Sequence, residues 1–288
     1  MTATKGATRD LIDLPTEAGV LRYYDIGDGP PLLLLHGSGP GVTGWRNYRG
    51  VVDSLASRFR CLILEFPGFG VSDPGPGHPM AMAASSVTQF LDGLALDKVD
   101  VIGNSLGGAI ALQSAIAAPE RIDRIVTIGG IGRSLLTPAP SEGIRLLMQF
   151  TDNPSRESLV RWLDAMVHDP GLITDELIEE RWQLATDPTT LDIARRMYSS
   201  EAMAQMMNAA KSSQMTPYWA QLGRITSPVL ATWGREDRVS PLDMSLIALS
   251  DIPNCELHVL PGCGHWAMIE ARNSWLRVVT EFLTRDRP

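Results

Sequence analysis

The sequence predicts an α/β fold, with a mostly parallel, doubly wound sheet and an inserted helical cap. Two observations carry this prediction. Short, continuous apolar runs recur along the chain without the polar alternation of half-exposed strands, as expected of parallel strands covered on both faces. Helix-prone stretches separate these runs, and alternating strands and helices give a parallel sheet with right-handed crossovers.

The elements follow in chain order. Residues 1–18 are polar and are expected to form an irregular start, after which Val20–Tyr24 is the first predicted strand. The other strands are predicted at Leu32–Leu35, Cys61–Leu64, Val99–Ile102, Ile125–Ile128, Val229–Thr232 and Leu257–Leu260. The helices are predicted at Val51–Ser57, Ala81–Leu94, Gly107–Ala118, Pro241–Leu249 and Ala267–Leu283.

One interval breaks this alternation. About a hundred residues separate Ile125–Ile128 from Val229–Thr232, far more than a crossover needs, and they have helical rather than strand character. We therefore expect a core formed by residues 1–133 and 223–288, with a helical cap at 134–222. The cap is expected to roof a pocket over the sheet.

Composition narrows the function classes. The chain has 288 residues and a net charge of −8, which argues against a nucleic-acid groove or an anionic membrane surface as partner. Its apolar runs fall short of the roughly 20 residues of a membrane span. The three cysteines lack metal-type spacing and no signal-peptide pattern appears at the start, so a reduced, cytoplasmic compartment is expected.

The clearest chemical signal is Ser105. It lies in Gly103-Asn104-Ser105-Leu106-Gly107-Gly108, directly between a predicted strand and a predicted helix. A serine at such a turn is typical of a nucleophile elbow, in which flanking glycines make room for a strained backbone. Ser105 is therefore the candidate nucleophile.

A serine hydroxyl needs a base, and the base needs an acid that fixes its tautomer. Asp237 follows the strand Val229–Thr232, and His265 follows the last strand. Both stand where an open α/β sheet builds its sites, and the chain order Ser, Asp, His is that of α/β-hydrolases. The sequence thus predicts a Ser105-His265-Asp237 triad.

Other residues compete for these roles. Glu236 and Asp243 are nearby acids, but their positions suit solvated surface roles better. His36 is interpreted as structural, His258 as a strand residue, and His78 and His168 as loop or cap residues. His265 and Asp237 remain the preferred candidates.

The glycine-rich turn His36–Gly41 supplies a candidate oxyanion hole. The backbone N–H groups of Ser38 or Gly39, together with that of Leu106, would stabilise the oxyanion formed when Ser105 adds to a carbonyl. The same region contains a formal G-x-G-x-x-G at Gly39–Gly44 with Glu65 downstream, a weak dinucleotide signal because Pro40 removes a backbone donor.

Several motifs resemble one family, the meta-cleavage product hydrolases. They are Ser38-Gly39-Pro40-Gly41 with Trp45 and Asn47, Pro67-Gly68-Phe69-Gly70, the elbow with Asn104, and Gly264-His265-Trp266. These α/β-hydrolases cleave a carbon–carbon bond in ring-opened products of aromatic catabolism. The resemblance covers nearly the whole chain.

The resemblance implies a substrate and its contacts. The substrate would be a 2-hydroxy-6-oxo-dienoate. Arg181 would bind its carboxylate or enolate oxygen, Asn47 and Asn104 would add polar contacts, and Trp266 would form a wall. A surface-charge role for Arg181 stays open. No metal or organic cofactor is expected, and a homodimer or higher homo-oligomer is expected through the resemblance alone.

Two alternatives remain at this point. A carboxylesterase or lactonase would use the same triad, because both reactions add serine to a carbonyl. A binding or signalling protein without catalytic activity would usually have a broken triad, and here all three residues are present.

Overall fold

The computed structural model describes residues 10–212 and 216–285. Its sheet has eight strands in the order β1-β2-β4-β3-β5-β6-β7-β8. They are Ile12–Thr16 (β1), Gly19–Ile26 (β2), Pro31–Leu35 (β3), Arg60–Glu65 (β4), Val99–Asn104 (β5), Ile122–Ile128 (β6), Val229–Gly234 (β7) and Cys255–Leu260 (β8). Strands β3 to β8 are parallel and β1 and β2 are antiparallel, which confirms the mostly parallel α/β fold.

The irregular start expected for residues 1–18 is wrong in part, because Ile12–Thr16 forms β1. This strand lies at the edge of the described sheet, its residues alternate between exposed and half-buried, and it pairs with β2. An edge position also tolerates Pro15, which cannot donate a ladder hydrogen bond. The strand escaped prediction because only one of its faces is covered.

Helices of the core cover both faces of the sheet. They are Gly44–Tyr48 (α1), Val52–Ala56 (α2), Pro79–Gly93 (α3), Leu106–Ala117 (α4), Ser245–Asp251 (α10), Ala267–Glu270 (α11) and Arg272–Thr284 (α12). Leu33 and Leu35 pack into one cluster with α3 and α4, whereas Leu32 and Leu34 pack into another with α1, α2 and α12. Neighbouring β3 residues thus serve opposite faces, as a doubly wound sheet requires. The helix predicted at Ala267–Leu283 is two helices, with a break at Ala271.

Between β6 and β7 the described residues form helices and no strand. The helices are Glu142–Asp152 (α5), Arg156–Met166 (α6), Asp175–Ala185 (α7), Pro188–Tyr198 (α8) and Ser200–Ser212 (α9). We call α5 to α9 the cap. Phe150, Leu159 and Trp162 of the cap are buried in the same cluster as Leu32 and Leu34. The cap therefore packs on the core, while the limits 134 and 222 stay predictions.

Candidate active site

Ser105 occupies the turn between β5 and α4. Its φ of 53° and ψ of −112° place a non-glycine residue at positive φ, which costs on the order of 1–3 kcal/mol. The hydrogen bond from Ser105 N to Ile128 O, 2.9 Å long, ties the turn to the end of β6. This hydrogen bond stabilises the strained turn, which holds the hydroxyl above the carboxyl edge of the sheet.

Two glycines allow the elbow to form. A Cβ on Gly103 would lie 2.3 Å from Gly107 O, and a Cβ on Gly107 would lie 2.2 Å from Leu35 O. Both contacts are with backbone, which cannot move aside without displacing β3 or α4. The close crossing of strand and helix around Ser105 therefore requires glycine at both positions.

His265 and Asp237 form a buried, hydrogen-bonded pair. His265 Nδ1 lies 2.7 Å from Asp237 Oδ2, and both side chains are at most 2% exposed. The other carboxylate oxygen accepts from the backbone N–H groups of Val239 and Ser240, each at 2.8 Å. Because these bonds fix the carboxylate, Nδ1 carries the proton and Nε2 is left to act as a base.

Ser105 and His265 line one cavity, of about 40 Å³, which we call the inner cavity. In the described part of the chain no hydrogen bond joins Ser105 to His265. This contact is often long or poorly aligned before substrate binds. The predicted nucleophile and base thus share a cavity.

The turn after β3 lies in the wall of the inner cavity. Gly37 N donates to Asn47 Oδ1 at 3.3 Å, whereas the N–H groups of Ser38 and Gly39 have no acceptor among the described residues. Ser38 and Gly39 line the inner cavity. Leu106, the first residue of α4, does not line it, but its N–H is one of those that a helix leaves without an internal acceptor. These donors remain the candidate oxyanion hole.

A buried carboxylate anchors the start of α1, which follows this turn in the chain. Glu65 at the end of β4 accepts from Gly44 N at 2.6 Å and Trp45 N at 2.9 Å. It therefore occupies the N–H groups at the start of α1 that a dinucleotide phosphate would need. Burial raises the pKa of Glu65 to about 7, although these N–H bonds oppose the shift. The N–H groups that would bind a dinucleotide phosphate are thus already bonded to Glu65.

His36 is structural, as interpreted from the sequence. Its Nε2 accepts from Phe66 N at 2.9 Å, which leaves the proton on Nδ1 for Gly37 O at 2.6 Å. Burial lowers the pKa of His36 to about 4, so the ring is neutral at pH 7. Although Nε2 lies 3.9 Å from Glu65 Oε2, a neutral ring that already accepts there forms no ion pair.

Arg181 lies in α7 and is buried, with 4% of its surface exposed. Its NH1 group donates to Pro40 O at 3.2 Å, and its guanidinium stacks 5.1 Å from the ring of Trp266. Its Nε has no hydrogen-bond partner among the described residues. Burial, followed by repulsion from Arg46, lowers the pKa of Arg181 to about 9, which leaves it charged at neutral pH. The surface-charge alternative is therefore wrong, and the cation faces the inner cavity.

Asn47, Asn104 and Trp266 also line the inner cavity. Asn104 Nδ2 donates to Ile128 O at 3.2 Å, and Asn47 Nδ2 is buried with no partner in the part of the chain that the structure describes. All four residues assigned through the resemblance, counting Arg181, therefore border the same space.

Sequence reasoning missed several residues of the site. From the cap, Tyr198 hydrogen-bonds Ser38 Oγ, and Trp162 lines the cavity with an Nε1 that has no partner within residues 10–212 and 216–285. Glu270 Oε1 accepts from Gly264 N at 2.7 Å, and its Oε2 accepts from His168 N at 2.6 Å. Glu270 thereby joins the loop of His265 to the cap, a role that no local motif signals.

Glu236 and Asp243 also differ from expectation. Glu236 Oε2 accepts from Cys263 N at 3.0 Å, two residues before His265. Asp243 accepts from the backbone of Leu135, Leu136 and Thr137, and these bonds hold its pKa near 2 although burial opposes them. Both acids therefore fix loops instead of serving only as solvated surface charges.

In the part of the chain that the structure describes, no helix is long and apolar enough to span a bilayer. No cluster of three or more His, Cys, Asp or Glu side chains placed to hold a metal occurs among the same residues.

Comparison with known proteins places this geometry in context. Residues 30–272 match the model of the α/β-hydrolase fold family. The chain is 37% identical to a 2-hydroxy-6-oxononadienedioate/2-hydroxy-6-oxononatrienedioate hydrolase of Cupriavidus pinatubonensis, over 93% of this chain and 96% of that protein. It is also 37% identical to a 2-hydroxy-6-oxo-6-phenylhexa-2,4-dienoate hydrolase of Burkholderia cepacia, over 91% of each chain.

Solved structures give the same picture. A 2-hydroxy-6-oxo-6-phenylhexa-2,4-dienoate hydrolase of Rhodococcus sp. strain RHA1 superposes with a TM-score of 0.85 at 30% identity, over 96% of this chain and 99% of that one. A meta-cleavage product hydrolase of Pseudomonas fluorescens IP01 superposes with a TM-score of 0.84 at 28% identity, over 94% and 97%.

Proposed function

Because the chain belongs to the α/β-hydrolase family, and within it to the meta-cleavage product hydrolases, we propose that it hydrolyses the carbon–carbon bond next to the 6-oxo group of a 2-hydroxy-6-oxo-dienoate. The enzyme is a hydrolase acting on carbon–carbon bonds in ketonic substances. Ser105 is the nucleophile, His265 the base and Asp237 the acid that orients it. The observation that carries this proposal is Arg181, a buried cation in the wall of the cavity that holds Ser105 and His265, whose Nε has no partner among the residues that the structure describes.

The reaction begins with the dienol. Arg181 pairs with the carboxylate or 2-oxygen of the substrate, and Asn47 and Asn104 supply polar contacts beside it. Ketonisation moves a proton from the 2-hydroxyl to carbon 5, so that electrons can later return to the 2-oxygen. Without this step the carbon–carbon bond has no stable leaving group.

Cleavage then follows serine chemistry. Ser105 Oγ gives its proton to His265 Nε2 and adds to carbon 6, and the resulting oxyanion is held by the N–H groups of Ser38 or Gly39 and Leu106. The bond between carbons 5 and 6 breaks, and its electron pair ends on the 2-oxygen of the departing dienolate. His265 returns a proton to this product and then activates the water that hydrolyses the acyl-enzyme.

The test is an absorbance assay of a panel of ring-fission products beside neutral p-nitrophenyl esters. Ser105→Ala should abolish turnover yet still bind the coloured dienoate, because the residues around Arg181 remain. Arg181→Ala should lower kcat/KM for acidic dienoates by about 10²-fold or more and affect the esters far less. Normal turnover by Ser105→Ala would discard the serine mechanism, and equal losses on both substrate types would remove Arg181 from substrate binding.

The enzyme takes a small molecule as its partner. We propose in addition that it acts in the cytoplasm and that it is a homodimer or higher homo-oligomer. Sedimentation of the purified chain tests the assembly, since a monomer at all concentrations would contradict it.

A further inference from the structure

A second cavity of about 350 Å³ lies beside the inner cavity and opens at the surface between cap and core. We call it the outer cavity. Its rim includes the exposed residues Arg49, Gly50 and Arg272 of the core, and Leu177 of α7 belongs to the cap side. It is much larger than the inner cavity, and its solvent-facing rim is already open.

The two cavities share a wall. Asn47, Arg181 and Trp266 border both of them. Asn47 Nδ2 and Arg181 Nε are buried donors without a partner in the described ranges of the chain, and Arg181 is held against Trp266 by stacking at 5.1 Å. Because buried donors normally have an acceptor, these two donors are suited to bind a polar or anionic group of a ligand.

The outer cavity is positive in an otherwise acidic molecule. Four arginines line it, at positions 46, 49, 181 and 272, against the two glutamates Glu176 and Glu180, whereas the whole chain carries −8. Glu180 accepts from Arg46 at 3.3 Å and from Arg49 at 3.1 Å. Arg272 instead donates to Gly50 O at 2.5 Å and Ser54 Oγ at 3.1 Å, and no carboxylate of the described residues pairs with it.

The inner cavity is too small to hold a substrate unless its wall moves. The inner cavity, about 40 Å³, holds roughly three waters, whereas sites for small organic ligands usually measure about 300–1,000 Å³. A substrate that reaches Ser105 must therefore displace some part of the surrounding wall. The part that already faces an open, positive and partly apolar space is the Arg181–Trp266 pair.

We propose that the outer cavity is the entry vestibule of the enzyme: it first binds the carboxylate of the incoming anion near Arg272, and the substrate then passes the Arg181–Trp266 pair into the inner cavity. This inference rests on the proposed function for the nature of the anion, but the route itself applies to any molecule that reacts with Ser105. Apolar side chains such as Leu177 and Ile269 line the same space and suit the hydrocarbon part of the substrate.

The route is tested by filling the vestibule. A Cβ on Gly50 meets no atom of the described residues within 4 Å, so Gly50→Trp places a large side chain at the rim without a clash with their backbone. The readout is the second-order rate at which a neutral fluorophosphonate labels Ser105, which requires no turnover of dienoate. We expect about a tenfold decrease, because access then limits association.

Gly223→Trp is the matched control, since Gly223 is also exposed and its Cβ would lie 3.5 Å from Asp251 O, outside the vestibule. Its labelling rate should equal that of the wild type. An unchanged rate in Gly50→Trp, with the unfolding midpoint preserved, would overturn the route.

Anion capture is tested by Arg272→Gln, with Arg277→Gln as control because Arg277 is exposed on the same helix and does not line the vestibule. Arg272→Gln should lower kcat/KM for the dienoate about threefold more than it lowers fluorophosphonate labelling, and Arg277→Gln should change neither. Equal effects on the charged and neutral probes would overturn the capture step.

The two hypotheses fail differently. If no dienoate is turned over, the proposed function is wrong, and the Gly50→Trp labelling rate still decides the route. If dienoates are turned over normally and Gly50→Trp labels at the wild-type rate, the vestibule is wrong and the proposed function stands.

Discussion

At the scale of single residues, the buried carboxylate of Glu65 has the most definite thermodynamic consequence. It is 1% exposed and anchors the start of α1 by accepting from Gly44 N and Trp45 N. Burial raises its pKa from 4.5 to about 7. The folded protein therefore binds a proton more tightly than the unfolded chain, and this contribution to stability is complete below pH 4.5 and is lost as pH rises through 7.

Glu65→Gln should remove this dependence. Between pH 4.5 and 7 the free energy of unfolding of the wild type should fall relative to that of the variant by about 3 kcal/mol, since each pKa unit corresponds to about 1.4 kcal/mol. Urea unfolding at several pH values measures the difference. Exposed Glu120→Gln is the control, and parallel pH profiles for the wild type and Glu65→Gln would contradict the prediction.

The residues that sequence could predict are those fixed by chain position. Ser105, Asp237 and His265 each follow a strand of one parallel sheet, and the carboxyl ends of such strands meet at one edge. Tyr198 and Trp162 could not be predicted, because their contribution depends on how cap helices pack over that edge. Local sequence carries no record of this packing.

At the scale of elements, the crossing of α4 over β3 depends on one missing side chain. A Cβ on Gly107 would meet the backbone at 2.2 Å, whereas one on the adjacent Gly108 would come no closer than 3.1 Å. Both substitutions to alanine gain the same helix propensity, so the backbone clash alone distinguishes them. Gly107→Ala should therefore reduce the free energy of unfolding by about 2 kcal/mol more than Gly108→Ala. Denaturant titration of the pair measures this, and equal stabilities would show that the crossing adapts.

The loop that carries His265 is an element held from outside. Glu270 bonds Gly264 N on that loop, and His168 N and Asp169 N beside the cap. We expect Glu270→Ala to lower kcat about tenfold with a smaller change in KM, because a displaced base slows chemistry more than binding.

Glu281→Ala, an exposed glutamate on α12, controls for the loss of charge, and Glu270→Gln should restore part of the rate because its amide oxygen still accepts one bond. A change confined to KM would instead assign Glu270 to substrate binding.

Strand prediction succeeded for the buried strands β3 to β7 and also for the half-buried β2 and β8, and it failed for β1. The continuous apolar runs of β3 to β7 indicate strands directly, whereas β1 alternates between exposed and half-buried residues and includes Pro15. The short helix α1 was also missed, since its start depends on the Thr43 side chain, which accepts from Arg46 N at 3.1 Å, and on the distant Glu65.

At the scale of the whole molecule, two electrostatic effects on an acidic substrate oppose each other. The net charge of −8 repels an anion, whereas the vestibule attracts it. Charges farther away than about 10 Å are screened at 0.1 M salt, so the local arginines should dominate there.

We therefore expect kcat/KM for acidic dienoates to fall as ionic strength rises from about 0.1 to 0.5 M, with little change for neutral esters. A rise in kcat/KM for the dienoates would mean that the overall charge governs the approach.

The attachment of His265 to the cap has a consequence for recombination between relatives. His265 N donates to Met166 O at 2.8 Å, and a Cβ on Gly264 would lie 2.8 Å from that same oxygen. A chimaera that exchanged the cap helices to alter substrate range would also replace Met166, whose carbonyl oxygen accepts the hydrogen bond from His265 N. Breakpoints that keep residues 166–169 with residues 263–270 should preserve the alignment of the imidazole, and breakpoints that separate them should not.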